Sequence, residues 1–246
     1  MNNFNNEFKS ALRLNNLEIN CDLIKNIKEY QNFLMSENKK YNLTSIVSQT
    51  DLINKHFIDS IFALNYFEDK KRINLLKDYD LIIDYGSGAG FPLLPWLIYS
   101  NHKKEISKTE YLINDSNNKK INFIKNLLNH ISIKFESKLV LSKSRIEELK
   151  LNNYEKILLV GRAIQDIKNI LKNIKKFVLL NNLDFIDFVY LVGPSFECPS
   201  ELFLKKIFNI QHFSICNELI KYKLNDNKVD RGIFYFKVEK LTQIRR

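Results

Sequence analysis

Leu81-Ile82-Ile83-Asp84-Tyr85-Gly86-Ser87-Gly88-Ala89-Gly90-Phe91-Pro92-Leu93-Leu94-Pro95 is the stretch that decides the fold. The apolar run at its start predicts a buried strand. Three of the chain's six glycines then fall within five residues, and two of its four prolines follow at once. Glycine this dense in a glycine-poor chain marks a backbone that bends tightly and comes close to a ligand. A strand that runs into such a loop and then into a helix is how α/β proteins build a nucleotide pocket. The dinucleotide fingerprint G-x-G-x-x-G would need its third glycine at position 91, and that residue is Phe91.

The pattern D-x-G-x-G-x-G resembles the first motif of S-adenosylmethionine-dependent methyltransferases. That resemblance implies S-adenosyl-L-methionine as cofactor, with its methionine part against the backbone of Gly86, Gly88 and Gly90 and its ammonium near Asp84. Asp115 stands 25 positions after Gly90, at the end of the second predicted strand. An acid there can accept both ribose hydroxyls, as in other nucleotide-binding α/β folds, and it would serve equally as a helix N-cap. Ser144-Arg145-Ile146-Glu147-Glu148 follows the third strand, where Ile146 would pack on an adenine face. An ordinary helix start accounts for the same residues.

Outward from the glycine loop, strands and helices alternate. Strands are expected over 81–85, 109–114, 138–142, 156–161 and 185–192. Helices are expected over 91–100, 118–130, 165–179 and 200–209, and an antiparallel pair over 211–217 and 232–239 closes the pattern. Such alternation argues for right-handed crossovers and a parallel sheet covered on both faces. The expected fold is α/β: a Rossmann-like class I methyltransferase with a mostly parallel seven-stranded sheet. Upstream, Leu23, Ile27, Tyr30 and Leu34 form the stripe of an amphipathic helix over 22–37. A second helix is expected after Thr50 as N-cap, with Asp51 in its first turn and Leu52, Phe57, Ile61 and Leu64 buried. Residues 1–75 therefore read as an N-terminal helical cap, and 76–246 as the cofactor-binding domain.

The net charge of +10 and pI near 9.3 point to a polyanionic partner. The richness in Asn, Lys and Ile also reflects a codon bias that inflates lysine. Against that background the seven arginines stand out, at positions 13, 72, 145, 162, 231, 245 and 246. Arg145, Arg162 and Arg231 sit at strand-to-loop junctions, where a planar fork does what lysine cannot. The N-terminus has no apolar signal region, and the longest apolar run, Phe91 to Tyr99, is too short for a bilayer. Cys21, Cys198 and Cys216 are scattered, as expected for reduced thiols in the cytoplasm. No membrane and no metal are expected, and a monomer is.

Several catalytic schemes lack their residues. No two prolines are adjacent, so the Asp/Asn-Pro-Pro-aromatic loop that methylates exocyclic amines is missing. Cys198-Pro199 has the reverse order of the Pro-Cys pair needed for attack on a pyrimidine. His56, His102, His130 and His212 show no metal spacing, and His56 reads as a structural histidine rather than a base. An acceptor such as guanine N7, with a free lone pair, needs no base. Its catalyst must desolvate and align the reactants. The residues alone leave RNA, protein and small-molecule acceptors open.

Taken together, the segments resemble the bacterial small-subunit rRNA guanine-N7 methyltransferase family, RsmG or GidB. The resemblance rests on Tyr41-Asn42-Leu43-Thr44-Ser45, His56-Phe57-Ile58-Asp59-Ser60, the glycine loop with Phe91-Pro92, Asp115-Ser116 with Lys119-Lys120, Ser144 to Glu148, Arg162-Ala163 and Arg231. It implies methyl transfer to N7 of guanine 527, in the 530 loop of 16S rRNA, with the small ribosomal subunit as partner. It also implies cofactor contacts at Gly86, Phe91, Ile146, Glu147 and Arg162, and Arg162 and Arg231 as the catalytic arginines. Departures from the family pattern are Val192-Gly193 in place of Lys-Gly, Gly161 before Arg162, and Asn114 at a strand end. A methyltransferase for a protein or small molecule, and a family member that binds the ribosome without catalysis, are the alternative readings.

Overall fold

A computed structural model of the chain describes residues 3–101, 108–131, 133, 135–164, 166–208, 213–224 and 228–240. His102, His212, Arg245 and Arg246 lie outside these residues. Seven strands form one sheet: β1 (Leu81–Tyr85), β2 (Glu110–Asn114), β3 (Leu139–Ser142), β4 (Ile157–Arg162), β5 (Phe185–Val192), β6 (Phe213–Leu224) and β7 (Val229–Lys240). Their order is β3-β2-β1-β4-β5-β7-β6. The first five are parallel, whereas β7 runs antiparallel to β5 and to β6. β1, β4 and β5 are almost continuously apolar and buried, as strands covered on both faces must be. The expected α/β class and the mostly parallel seven-stranded sheet are therefore present.

The crossover helices are α5 (Leu93–Asn101), α6 (Asn118–Ile131), α7 (Ile167–Leu180) and α8 (Glu201–Ile207). The cap consists of α1 (Asn3–Leu14), α2 (Cys21–Tyr41), α3 (Gln49–Leu52) and α4 (Asp59–Tyr66), with π-helical turns at Ile53–Ile58 and Phe67–Lys71. Two expectations need correction. The helix after residue 48 is capped by Ser48, whose hydroxyl accepts the Asp51 N–H at 3.1 Å, so Thr50 lies one residue inside the helix. The closing hairpin is longer than expected: β6 covers 213–224 with alternate residues less exposed, and β7 covers 229–240 with Ile233, Phe234, Phe236 and Val238 buried. Helix α1 was not anticipated. Its Asn-rich sequence hides Phe4, Phe8, Ala11 and Leu12, which share one buried stripe.

The cap does not stand apart from the sheet. One hydrophobic cluster runs from Phe8 and Leu12 through Ile27, Phe57 and Trp96 to Ile82 and Leu158. A second cluster fills the other face, between α7 and the β4–β5 region. Buried polar ties fix the cap on the glycine loop. The Tyr30 hydroxyl donates to the Ala89 carbonyl, and Trp96 Nε1 donates to the Ser60 carbonyl at 2.6 Å.

Candidate active site

The parallel register brings the ends of β1, β2 and β3 level, since Tyr85 pairs with Asn114 and Asn114 with Ser142. Arg162 and Val192 end β4 and β5 on the same edge. The antiparallel hairpin then adds the last turn of β6 and the first of β7 to that edge, because Val192 faces Gly232 and Tyr222 faces Arg231. Ligands of open α/β sheets bind at this carboxyl edge.

Two groupings occupy it. The first is a polar cavity of about 220 Å³ lined by Gly86, Asp115, Ser144, Arg145, Ile146 and Glu147, among others. Gly86, Gly88 and Gly90 have φ of 66°, 60° and 99°, a region that glycine enters without strain. A Cβ on Gly86 would meet Ile164 Cγ2 at 2.8 Å, and one on Gly90 would meet Leu94 and the Tyr30 hydroxyl, both at 2.6 Å. At Gly88 the space is open apart from the Gly86 carbonyl at 3.9 Å. Asp115 ties the loop from the side. One carboxylate oxygen accepts the Gly88 N–H at 3.0 Å, and the other accepts the Asn117 N–H at 2.8 Å. Asn114 has a local account as well. Its amide donates to the Ser144 carbonyl at 3.1 Å and hydroxyl at 2.9 Å, which joins β2 to the segment carrying Ile146.

Asp84 is fully buried beneath the loop rather than in the cavity. The Ser87 hydroxyl donates to one of its oxygens at 2.5 Å, and the other oxygen has no partner among the described residues. Burial pushes its carboxyl well above the usual range, with the Ser87 hydrogen bond opposing. Phe91 also stays out of the cavity. Its ring stacks between Tyr30 and His56, at 5.5 and 4.5 Å between centroids.

The second grouping is one the sequence did not assemble. Asp59, 1% exposed, accepts Arg162 Nη1 at 2.8 Å and the Tyr222 hydroxyl at 2.6 Å. Arg231 Nε lies 3.4 Å from the same carboxylate, an ion pair without a hydrogen bond. Burial raises the Asp59 carboxyl, opposed first by Arg162, then by Tyr222 and Arg231. His56, one turn earlier, has Nε2 2.9 Å from the Thr44 hydroxyl, so two stretches singled out in the sequence meet here. Burial, and then Arg162 and Arg231, hold its imidazole well below the usual range, so it is neutral. Thus Gly86, Asp115, Ile146 and Glu147 share the cavity. Arg162, expected at the cofactor, is directed with Arg231 onto Asp59. The signal for Asp59 was its place in His56-Phe57-Ile58-Asp59-Ser60, but nothing local announced its partners more than 100 residues away.

Among the described residues, no group of His, Cys, Asp and Glu could hold a metal ion, and no helix is long and apolar enough to cross a membrane. The three cysteines are free and exposed.

Residues 23–185 match the family described as rRNA small subunit methyltransferase G, GidB. Relatives include the ribosomal RNA small subunit methyltransferase G of Mycoplasma capricolum subsp. capricolum, 30% identical over 74% of this chain and 70% of that protein. Those of Mesoplasma florum and Aster yellows witches'-broom phytoplasma are 32% and 34% identical, over 68% and 67% of this chain and 62% and 68% of theirs. In fold the chain is similar to an O-methyltransferase from Bacillus cereus, with TM-score 0.52 at 12% identity over 94% of this chain and 97% of that one. It is also similar to magnesium protoporphyrin IX methyltransferase from Synechocystis PCC 6803, with TM-score 0.51 at 10% identity over 86% and 97%.

Proposed function

The chain belongs to the rRNA small subunit methyltransferase G family, and on that premise we propose that it methylates N7 of guanine 527 in the 530 loop of 16S rRNA. It uses S-adenosylmethionine, and it acts as a single chain on the small subunit in the cytoplasm. The observation that carries this reading is one carboxyl edge bearing both a polar cavity lined by Gly86 and a pair of partly buried arginines.

The residues fit the cofactor. Gly86 lines the cavity with no side chain, Asp115 offers carboxylate oxygens to a ribose, and Ile146 gives an apolar face for adenine beside Glu147. When bound, S-adenosylmethionine supplies an electrophilic methyl on a sulfonium. The protein's work is then mainly positional. N7 of guanine attacks with a free lone pair, so no general base is required. The neutral His56, pinned between Thr44 and Phe91, suits that chemistry. An arginine gripping the acceptor must donate to O6 or to phosphates and leave N7 open, since a hydrogen bond would occupy the attacking lone pair. N7 faces the deep, narrow groove of A-form RNA, so the acceptor is an unpaired guanine in a loop.

The test is methyl transfer in solution from labelled S-adenosylmethionine to small subunits taken from cells lacking the modification. The expected product is N7-methylguanosine in 16S rRNA. Label appearing only in ribosomal protein, or nowhere despite cofactor binding, would overturn the reading.

A further inference from the structure

Asp59 comes from the helical cap, yet its three partners come from the ends of β4, β6 and β7. It therefore links the cap directly to the edge where the acceptor must arrive. The charge count around it does not close. Two guanidiniums, Arg162 and Arg231, are 13% and 11% exposed and share this one carboxylate. Among the described residues the other nearby carboxylates already have a cation: Asp230, beside Arg231, lies 3.6 Å from Lys223. His56 is neutral, and Tyr222 keeps its proton because burial and Asp59 both raise its phenol. Asp51, which also faces Arg231, is paired with Lys55 at 2.7 Å. A guanidinium taken from water without full compensation is costly unless an anion joins it.

The open side of Arg231 identifies the anion. Arg231 lines a cavity of about 340 Å³ together with Lys221, Lys223, Asp230, Tyr222 and Phe196. That cavity shares no lining residue with the polar one beside Gly86. With three cations against Asp230 the cavity is net positive and separate from the cofactor cavity, and that is the setting for a strand of phosphates.

We propose that Asp59 is a positioning residue: it presets Arg162 and Arg231 as a forked pair with one positive charge left over, and a phosphate of the acceptor RNA strand completes the set. Asp59 touches neither cofactor nor acceptor. It acts by holding Arg231 in the orientation that receives the phosphate, and Tyr222 holds Asp59. The proposal rests on the reading of the chain as an RNA methyltransferase.

The test is a double-mutant cycle between Asp59→Asn and Arg231→Gln, read as kcat/KM on small subunits lacking the modification. Calorimetric affinity for S-adenosylmethionine and the thermal midpoint are measured alongside. Asp59→Asn is expected to lower kcat/KM at least tenfold, chiefly through KM, with cofactor affinity within about threefold of the parent. In the Arg231→Gln background the same change is expected to cost less than about threefold, because its target is already gone. Tyr222→Phe, which keeps every charge, serves if Asp59→Asn does not fold, and is expected to raise KM about threefold or more. Equal losses from Asp59→Asn in both backgrounds would reduce Asp59 to a structural residue and overturn the proposal. So would an unchanged KM in Tyr222→Phe. A parallel fall in cofactor affinity would overturn it in favour of the cofactor's own carboxylate as the anion. If the parent protein transfers no methyl to the subunit, it is the reading of the function that fails.

Discussion

Arg231 reaches Asp59 through Nε and donates Nη1 to the Asp230 carbonyl at 3.0 Å, so two different nitrogens of its planar head are engaged. Lysine has a point charge and cannot divide itself in this way. Arg231→Lys is accordingly expected to lower RNA methylation about tenfold while cofactor affinity changes little. Parallel transfer and calorimetry measurements check this, and equal activity would remove Arg231 from the acceptor side. His56 gives a second expectation at this scale. The folded protein keeps it neutral, whereas an unfolded histidine takes up a proton near pH 6.5. Below that pH the unfolded state binds one more proton, so stability falls by about 1.4 kcal/mol per pH unit, down to the depressed native value. Denaturant unfolding between pH 7 and 5.5 should show this fall, and His56→Gln should flatten it. The sequence read His56 as structural rather than as a base, and the structure places it buried between Thr44 and Phe91. The sequence could not show Asp59 as the centre of a cluster, because a carboxylate's partners are set by which strands end beside it.

At the scale of elements, the β1 loop and α5 were the most legible part of the chain. Glycines in the left-handed region leave one local solution, and the apolar run before them could only be a buried strand. The function of each loop residue was less legible. Asp84 and Phe91 carry the motif but are buried as supports, one under Ser87 and the other between Tyr30 and His56. Gly88 is the position where protein leaves the space open, and its φ of 60° strains any branched side chain. Gly88→Val is expected to abolish binding of S-adenosylmethionine while leaving a folded chain, as read by calorimetry and circular dichroism. Retained affinity would mean that this loop does not face the cofactor. The closing hairpin was legible in kind but not in length, since β6 buries few residues along its length and β7 breaks alternation at Gly232 to Phe234.

At the scale of the whole molecule, cap and sheet share a core, and that has a consequence for stability. Phe8 in α1 and Phe57 in the π-helical turn Ile53–Ile58 belong to the same cluster as Ile82 in β1. Phe8→Ala is expected to cost about 3–5 kcal/mol in a single cooperative transition rather than to melt the cap separately. Coincident loss of helical and strand signals in urea would show it. The shared core also keeps Asp59 in register with Arg162 and Arg231, so the cap contributes one residue to the arginine cluster. The account as a whole stands on one chemical product. Its most direct test is to map N7-methylguanosine across 16S rRNA from cells with and without this protein. The account predicts one modified guanine, in the 530 loop, that disappears when the protein is absent and returns with the parent gene but not with Gly88→Val. An unchanged map in cells lacking the protein would contradict it.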